Sequence, residues 1–274
     1  MTLTRLPGPL AGKDGQLTNY RIEGPQHRLL MHPFPRRVRA ELAGQTVLDT
    51  RYGVLVHETG LLPQLYVPEA DLRAKLAAPT DHHTHCPFKG DASYYTLRVG
   101  GRVAENAVWY YPQPLAEASW LRGYVAAYWQ VMDRWLDEDD EAIGHLPDPF
   151  HRVDVRATSR RVRVLAGDTV LADSTRALVL SETGVPNRYY LPAAAVREDL
   201  LAPSKTRTVC PYKGQTDYWS LSLDGRELAD VAWRYPEPRP EAVRIAGYRC
   251  FDHAELTTEL DGAPIRPEGP WVHP

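Results

Sequence analysis

A cysteine and a lysine stand close together in a short element that occurs twice in the chain. Residues 86–90 read Cys-Pro-Phe-Lys-Gly, and residues 210–214, which follow 124 positions later, read Cys-Pro-Tyr-Lys-Gly. An ammonium beside a thiol favours the thiolate, which is a nucleophile and a metal ligand. The same ammonium can instead bind the phosphate or carboxylate of a ligand as a point charge. The candidate catalytic residues are therefore Cys86, Lys89, Cys210 and Lys213.

A tight turn explains part of this element. Proline suits the first position of a turn, and glycine adopts the left-handed conformation that ends it. We therefore predict a hairpin with a four-residue loop, Pro87–Gly90, in which Cys86 and Asp91 end the two strands. In a purely structural interpretation the cysteine is a small core residue. Turn geometry does not require a lysine in both copies, and the repeated lysine favours a functional role.

Two histidines precede the first cysteine. His83 and His85 lie two positions apart, so on a strand both point to the same face. Imidazole and thiolate bind zinc, but a complete site needs three or four ligands. The second copy has Arg207 and Val209 at the matching positions, so a metal site would belong to the first copy alone. We favour exposed edge-strand histidines, and the sequence identifies no metal site and no cofactor.

Arginine among aromatic residues forms a further candidate site. Arg188 lies between turn residues and two tyrosines, where it can bind an anion between aromatic walls. Trp233 and Tyr235 lie two apart on a predicted strand and share a face, as do Trp109 and Tyr111. Core packing of these rings is the alternative. The predicted ligand-binding residues are Arg188, Tyr189, Tyr190, Lys213, Tyr218 and Trp233 in the second copy, and Tyr66, Lys89, Tyr94 and Trp109 in the first.

The candidate residues belong to a long internal duplication. Residues such as Trp109, Tyr111 and Gly123 recur 124 positions later as Trp233, Tyr235 and Gly247. This period is too long for a solenoid unit, so each copy is expected to be a domain. The predicted segments are an N-terminal arm over 1–24, a first repeat over 25–128, a linker over 129–148, a second repeat over 149–262 and a C-terminal tail over 263–274.

The elements that position these residues are strands. Residues 37–40 and 161–164 alternate polar and apolar side chains, which is typical of a strand with one wet face. Residues 94–99 and 218–223 are rich in aromatic and β-branched side chains. We predict a mainly β fold, made of two similar small antiparallel domains of two sheets each with short helices. Val131, Met132, Trp135 and Leu136 have helical spacing before the acidic run 137–141, which predicts an acidic linker helix between the domains.

Composition excludes several classes of protein. The net charge of −3 over 274 residues gives no basis for binding nucleic acid or anionic membranes. No apolar run approaches the roughly 20 residues that cross a bilayer, and the N-terminus lacks the apolar segment of a secretion signal. Three cysteines do not form a disulfide framework, so we expect a cytoplasmic protein. No P-loop, GxGxxG, HExxH or GxSxG motif is present.

Longer stretches resemble a known family. THCPFKGDASYY and WYYPQPLAE in the first copy, with SETGVPNRYYLP, CPYKGQTDYWS and WRYPEPRPEAVRIAGY in the second, are similar to the domain of unknown function 427. The tandem arrangement resembles its two-copy bacterial members. The resemblance implies a tent-like fold of two antiparallel sheets that meet at an angle. One label of the family names it a nucleotidyltransferase, which makes that activity an expectation.

Each copy departs from the family pattern at a different place. The family's THCxxKG motif falls on Thr84, His85, Cys86, Lys89 and Gly90, and on Thr208, Cys210, Lys213 and Gly214, with Val209 in place of the histidine. Its P-x-RYY-x-P stretch falls on Pro186, Arg188, Tyr189, Tyr190 and Pro192. The first copy has Leu62, Gln64 and Leu65 where Pro186, Arg188 and Tyr189 stand. This favours one working copy or a composite pocket over two identical sites.

Three functions are compatible with these residues. We favour a module that binds a small anionic or nucleotide-like ligand in an aromatic pocket beside the Cys-Pro-aromatic-Lys-Gly loop. The second is an enzyme, either cysteine-dependent or nucleotidyltransferase-like, whose metal would need carboxylates such as Glu58, Asp91, Glu182 and Asp217. The third is a non-catalytic interaction platform.

Overall fold

The structure is a computed structural model that describes residues 23–223 and 225–265. The chain divides between Asp148 and Pro149 into two compact units, which we call the first and the second unit. Each unit contains a seven-stranded and a four-stranded sheet, and every strand pair within them is antiparallel. Among the described residues the helices are short 3-10 segments. The prediction of two similar, mainly β domains is confirmed.

The first unit is built from eleven strands. They are β1 (Leu29–Pro33), β2 (Val38–Leu42), β3 (Gln45–Thr50), β4 (Val54–Glu58), β5 (Gln64–Pro68), β6 (Ala77–Cys86), β7 (Gly90–Val99), β8 (Arg102–Tyr110), β9 (Tyr124–Ala127), β10 (Arg134–Asp137) and β11 (Asp140–Ala142). The large sheet has the order β1-β4-β5-β9-β8-β7-β6, and the small sheet has the order β11-β10-β2-β3. Its 3-10 helices span Glu69–Asp71, Ala74–Leu76, Ala116–Leu121 and Trp129–Val131.

The second unit repeats this topology. Its strands are β12 (Val153–Ala157), β13 (Val162–Ala166), β14 (Thr169–Ser174), β15 (Leu178–Glu182), β16 (Val185–Pro192), β17 (Leu201–Pro203), β18 (Val209–Cys210), β19 (Gly214–Gln215), β20 (Asp217–Leu223), β21 (Arg226–Arg234), β22 (Tyr248–Phe251), β23 (Leu256–Leu260) and β24 (Ala263–Pro264). The sheets have the orders β12-β15-β16-β22-β21-β20-β17 and β14-β13-β23-β24, with β18 and β19 as a separate pair. Its 3-10 helices span Ala193–Ala195, Glu198–Leu200 and Pro240–Ile245.

Alternating side chains give the large sheet of each unit two packed faces. In β5, Leu65 and Val67 belong to the main core cluster, which includes residues of both sheets. Tyr66, between them, belongs to a second cluster on the opposite face, together with Leu121 of a 3-10 helix. The strand period of two separates these sets. The small sheet therefore covers one face of the large sheet, and the 3-10 segment covers the other.

The predicted linker helix over 129–148 is wrong. Only Trp129–Val131 is helical, as a 3-10 turn, and the segment continues into the hairpin β10–β11 of the first unit. Trp135 pairs with Ala40 of β2 and is buried. The spacing of the apolar residues fits a helix, but the run is short, and pairing with β2 makes it a strand. The acidic run forms the turn of this hairpin, where Arg36 binds Asp137 through hydrogen bonds of 2.6 and 2.7 Å.

These strands also move the domain boundaries. The first unit extends to Asp148, well beyond the predicted end at residue 128. In the second unit, Ala263–Pro264 pairs with β23, so the predicted tail begins inside the small sheet. Residues 266–274 of that tail and most of the predicted N-terminal arm lie outside the described residues. Within those residues, no helix has the length and apolar composition that crossing a bilayer requires.

Candidate functional site

The two Cys-Pro-aromatic-Lys-Gly elements form matching hairpins. Cys86 pairs with Gly90, and Cys210 pairs with Gly214, so each loop has three residues, one fewer than predicted. The loop is shorter because the glycine already pairs as a strand residue. The backbone N–H of Lys89 donates to the carbonyl of Cys86 at 3.3 Å, which closes the turn.

Glycine is required at the end of each loop for two reasons. The φ angles of Gly90 and Gly214 are 103° and 105°, a region that side chains rarely allow. A Cβ would also lie 3.3 Å from the carbonyl oxygen of Gln113 at Gly90, and 2.9 Å from that of Glu237 at Gly214. Each loop therefore rests directly on the proline-containing segment that follows the Trp-x-Tyr strand.

Both lysines bind buried glutamates. Lys89 Nζ donates to Glu58 Oε1 at 2.6 Å, and both side chains are about nine-tenths buried. His27 Nε2 lies 3.2 Å from the other carboxylate oxygen of Glu58. The ammonium therefore faces a carboxylate inside the first unit.

The second unit contains the same three groups. Lys213 Nζ donates to Glu182, and His151 Nε2 lies 3.0 Å from the same carboxylate. The three residue types recur at intervals of 31 along the sequence in both copies, and this regular spacing is the signal that the sequence contained. Sequence reasoning found the lysine but not its partner, because the contact joins the loop to the end of a distant strand, β15.

The pKa of Glu182 reflects this environment. Burial raises the pKa, because it disfavours the charged carboxylate. The hydrogen bond from His151 and the charge of Lys213 outweigh burial, and the pKa falls to about 2. Glu182 is therefore ionised throughout the physiological range and forms an ion pair with Lys213. We call His151, Glu182 and Lys213 the second-unit triad.

The cysteines pack as core residues. Cys86 and Cys210 are half-buried and contact the second cluster of their respective units. Cys250 is fully buried in the second unit, and burial raises the pKa of its thiol to about 12. All three thiols are free. This arrangement agrees with the structural interpretation of the Cys-Pro element.

The histidines before Cys86 lie on the exposed edge strand β6. His85 Nδ1 lies 2.6 Å from Asp91 Oδ1, and both side chains are more than half exposed. His83 Nδ1 lies 3.2 Å from the hydroxyl of Ser93. Across residues 23–223 and 225–265, the structure places no three His, Cys, Asp or Glu side chains so that they could hold a metal ion.

The structure brings together four of the ligand-binding residues predicted in the second copy. Trp233 Nε1 donates to the hydroxyl of Tyr190 at 3.4 Å, and the rings of Tyr218 and Trp233 lie 6.1 Å apart. The guanidinium of Arg188 lies 5.8 Å from the centre of the Trp233 ring. Burial raises the pKa of the Tyr190 phenol, so this hydroxyl is a neutral hydrogen-bonding group.

Tyr189 does not join this group. Tyr190 packs with Trp233 in the second cluster, whereas Tyr189 packs against the main core cluster on the opposite face of the sheet. Adjacent residues of a strand point to opposite faces, so the two tyrosine rings lie in different packed clusters. The hydroxyl of Tyr189 instead accepts a hydrogen bond from Arg160 Nη2 at 2.9 Å. Lys213 is likewise set apart, because its ammonium binds Glu182.

The first copy forms a corresponding aromatic group without an arginine. Trp109 Nε1 donates to the hydroxyl of Tyr66 at 3.2 Å, and Tyr94 pairs with Trp109 across strands β7 and β8. The ring of Tyr128 lies 4.6 Å from Trp109 and covers it. Burial raises the pKa of Tyr66. This group is therefore a packed set of rings, and Lys89 lies outside it with Glu58.

A cleft of about 410 Å³ opens beside Arg188 in the second unit. It lies between residues of β13, β16 and β22–β23, and its lining includes Arg188, Tyr189, Phe251, Asp252, His253 and Thr258. Arg188 Nη1 lies 2.5 Å from Asp252 Oδ2. Arg188 thus contacts both the Trp233 ring and the cleft. Sequence analysis predicted Arg188 and Tyr189 here but not Asp252, His253 or Thr258.

A one-residue difference in register explains why the two units differ here. Ala40 and Val164 are equivalent residues, and their strand partners are Trp135 and Thr258 respectively. Trp135 is 3% exposed and stacks on Trp129 with ring centres 4.6 Å apart. The position filled by indole in the first unit is held by a small hydroxyl residue in the second. The 124-residue period hides this match because the second copy is one residue shorter before β23.

The comparisons with known proteins agree with the duplicated fold. The family model described as "Domain of unknown function (DUF427)" matches residues 30–138 and again residues 154–262. No curated protein matches the chain significantly. The first match ends at residue 138, within the β10–β11 hairpin, which supports assigning β10 to the first domain.

Proposed function

The chain belongs to the domain of unknown function 427 family, in two tandem copies, and from that premise we propose that its second copy binds a small anionic ligand. The site is the cleft beside Arg188. The observation that supports this proposal is the position of Arg188, a residue that lines a cleft of about 410 Å³ and whose guanidinium lies over Trp233. Concave sites of this size that combine apolar walls with a few polar groups are typical ligand sites.

The lysine loop then has a structural role. Lys213 and Lys89 each bind a buried glutamate, so they are assigned to holding the loop rather than to holding an anion. Arg188 becomes the anion-binding residue, because a guanidinium keeps further N–H donors when one nitrogen contacts Asp252. The ligand is expected at one per chain, because Trp135 occupies the equivalent space of the first unit.

An enzymatic role is the weaker proposal. Nucleotidyl transfer commonly needs a divalent cation held by carboxylates. Glu58 and Glu182 are held by lysines, Asp91 contacts His85, and Asp217 lies within 3.2 Å of Arg207 and Arg234. Each carboxylate of that hypothesis already has a positively charged or imidazole partner. The free thiols fit a reducing, cytoplasmic location.

The test is ligand-induced stabilisation of the full chain. Purified protein is screened by thermal shift against carboxylate metabolites, phosphorylated sugars and nucleotides. A ligand at one hundred times its Kd adds about 2.7 kcal/mol to stability. Arg188→Gln, which installs the residue of the first copy, is expected to remove the shift. Arg197→Gln is the matched control, because Arg197 is an exposed arginine paired with Asp199.

A second variant tests the cleft itself. Thr258→Trp installs the side chain that the first unit carries at this position, and it should abolish binding and leave unliganded stability close to that of the wild type. Calorimetry of a hit should give one site per chain. The proposal is wrong if no anion of the panel shifts the transition, or if Arg188→Gln and Arg197→Gln weaken binding equally.

A further inference from the structure

Three side chains in the lining of the cleft beside Arg188 carry hydrogen-bond donors. The amide oxygen of Asn187 accepts from Ser181 Oγ at 2.7 Å, which leaves its NH2 group as a donor. The backbone N–H of Glu255 donates to His253 Nδ1 at 3.2 Å. In the neutral ring, Nε2 must then carry the proton and act as a donor. Arg188 supplies the third donor group, so the polar side of the cleft suits an anion.

The charge of the lining limits the charge of that anion. The cleft holds one guanidinium and one carboxylate, which form an ion pair of 2.5 Å, and one imidazole. A ligand with a single negative charge can bind Arg188 together with Asp252. It can also accept hydrogen bonds from the two further donors, Asn187 and His253. The several charges of a nucleoside triphosphate would face the carboxylate of Asp252 without enough positive partners.

The cleft also has apolar walls. They are formed by Val164, Tyr189, Phe251, Leu256 and Ile265. A volume of about 410 Å³ lies within the range of small-molecule sites, about 300–1,000 Å³. This is room for a ring or a short acyl chain besides one charged group. The apolar walls and the donor set lie on the same cleft, so a ligand with both an apolar body and an anionic group contacts both.

We infer that the ligand class is a monocarboxylate with an apolar or aromatic body. This inference rests on the proposed function, because it concerns the same site. The carboxylate binds Arg188, with His253 and Asn187 as further donors, and the body packs against the apolar walls. A planar guanidinium matches the two oxygens of a carboxylate in a bidentate pair. Phosphate esters, which carry about −1.5 to −2 charges, are disfavoured beside Asp252.

Titration calorimetry of the full chain with a matched series of probes tests this class. The probes are 4-phenylbutyrate, its uncharged amide, acetate, phenyl phosphate and ATP. We expect 4-phenylbutyrate to bind at least tenfold more tightly than each of the other four. The amide lacks the charge, acetate lacks the apolar body, and the phosphates carry excess charge. Arg188→Gln should bring the carboxylate and the amide to equal affinity.

His253 offers an independent variant. His253→Leu should weaken the binding of 4-phenylbutyrate about threefold or more and leave the affinity for the amide unchanged. Circular dichroism checks that the variant is folded. Equal affinity for carboxylate and amide in the wild type overturns the inference. Binding of ATP or phenyl phosphate that is tighter than binding of 4-phenylbutyrate also overturns the inference. If Arg188→Gln weakens that binding of the phosphate, the proposed function still stands. The proposed function itself fails if the whole panel of anions gives no binding, or if Arg188→Gln and Arg197→Gln weaken binding equally.

Discussion

Replacement of Glu182 by glutamine should destabilise the second unit far more than an ordinary surface substitution. The change removes the negative charge of the carboxylate, which contacts both Lys213 and His151, and it keeps the shape of the side chain. Lys213 is 12% exposed at its side chain, so its ammonium would be left buried without an ionic partner. Water cannot solvate it fully at that position, and the desolvation of a charge is costly.

The expected magnitude follows from the pKa of Glu182. The carboxyl pKa falls from 4.5 to about 2 in the folded protein. One pKa unit corresponds to about 1.36 kcal/mol, so the folded environment favours the carboxylate by about 3 kcal/mol. Breaking a buried ion pair by removing one partner costs about 3–5 kcal/mol in other proteins. We therefore expect Glu182→Gln to lower the free energy of unfolding of the second unit by about 3 kcal/mol.

Urea unfolding monitored by hydrogen exchange and mass spectrometry locates the effect. With a typical slope of about 2 kcal/mol/M, the midpoint for peptides of 149–265 should fall by roughly 1.5 M. Glu58→Gln is the matched variant, and it should move the transition of the first unit. The double variant Glu182→Leu with Lys213→Met should be more stable than either single variant, because it leaves no unpaired charge.

Two results would refute this reasoning. A loss below about 0.5 kcal/mol for Glu182→Gln would place the pair among exposed ion pairs, which contribute little. A double variant whose loss equals the sum of the two single losses would show that Glu182 and Lys213 do not interact energetically.

Three further predictions concern the loop, the pH and the thiols. Gly214→Ala should cost about 1–3 kcal/mol, because the residue has φ 105° and its Cβ would meet the Glu237 carbonyl at 2.9 Å; Gly247→Ala, with φ 79° and open space, should cost less in the same urea assay. The second unit should keep the contribution of Glu182 above about pH 4.5 and lose it as the pH falls towards 2, because the folded pKa is the lower one; thermal melts should show this slope in the wild type and not in Glu182→Gln. Iodoacetamide should label Cys86 and Cys210 in the native protein but label Cys250, which is fully buried, only after unfolding; native labelling of Cys250 would contradict the packing described for the second unit.

The sequence alone determined the duplication, the strand-rich architecture and the two tight loops. These features depend on local rules, since alternation specifies a strand with one buried face and the Pro-aromatic-Lys-Gly order specifies a turn. The family match confirms the two copies. Arg188, Tyr190, Tyr218 and Trp233 could also be grouped from sequence, because the strand period of two fixes which side chains share a face.

Tertiary structure alone decided what the lysines contact and where the cleft lies. The partner of Lys213 is Glu182, 31 residues away, and no local pattern identifies a contact between separate strands. The helix predicted over 129–148 became a hairpin because β2 offers a pairing edge, which a short apolar pattern does not reveal. The cleft depends on a small residue, Thr258, which pairs with Val164 where Trp135 pairs with the equivalent Ala40 in the first unit. The second copy is one residue shorter before this position, which hides the match in the sequence. Long-range pairing and the space left by a smaller side chain are properties of the packed chain, because both depend on residues that meet only after folding.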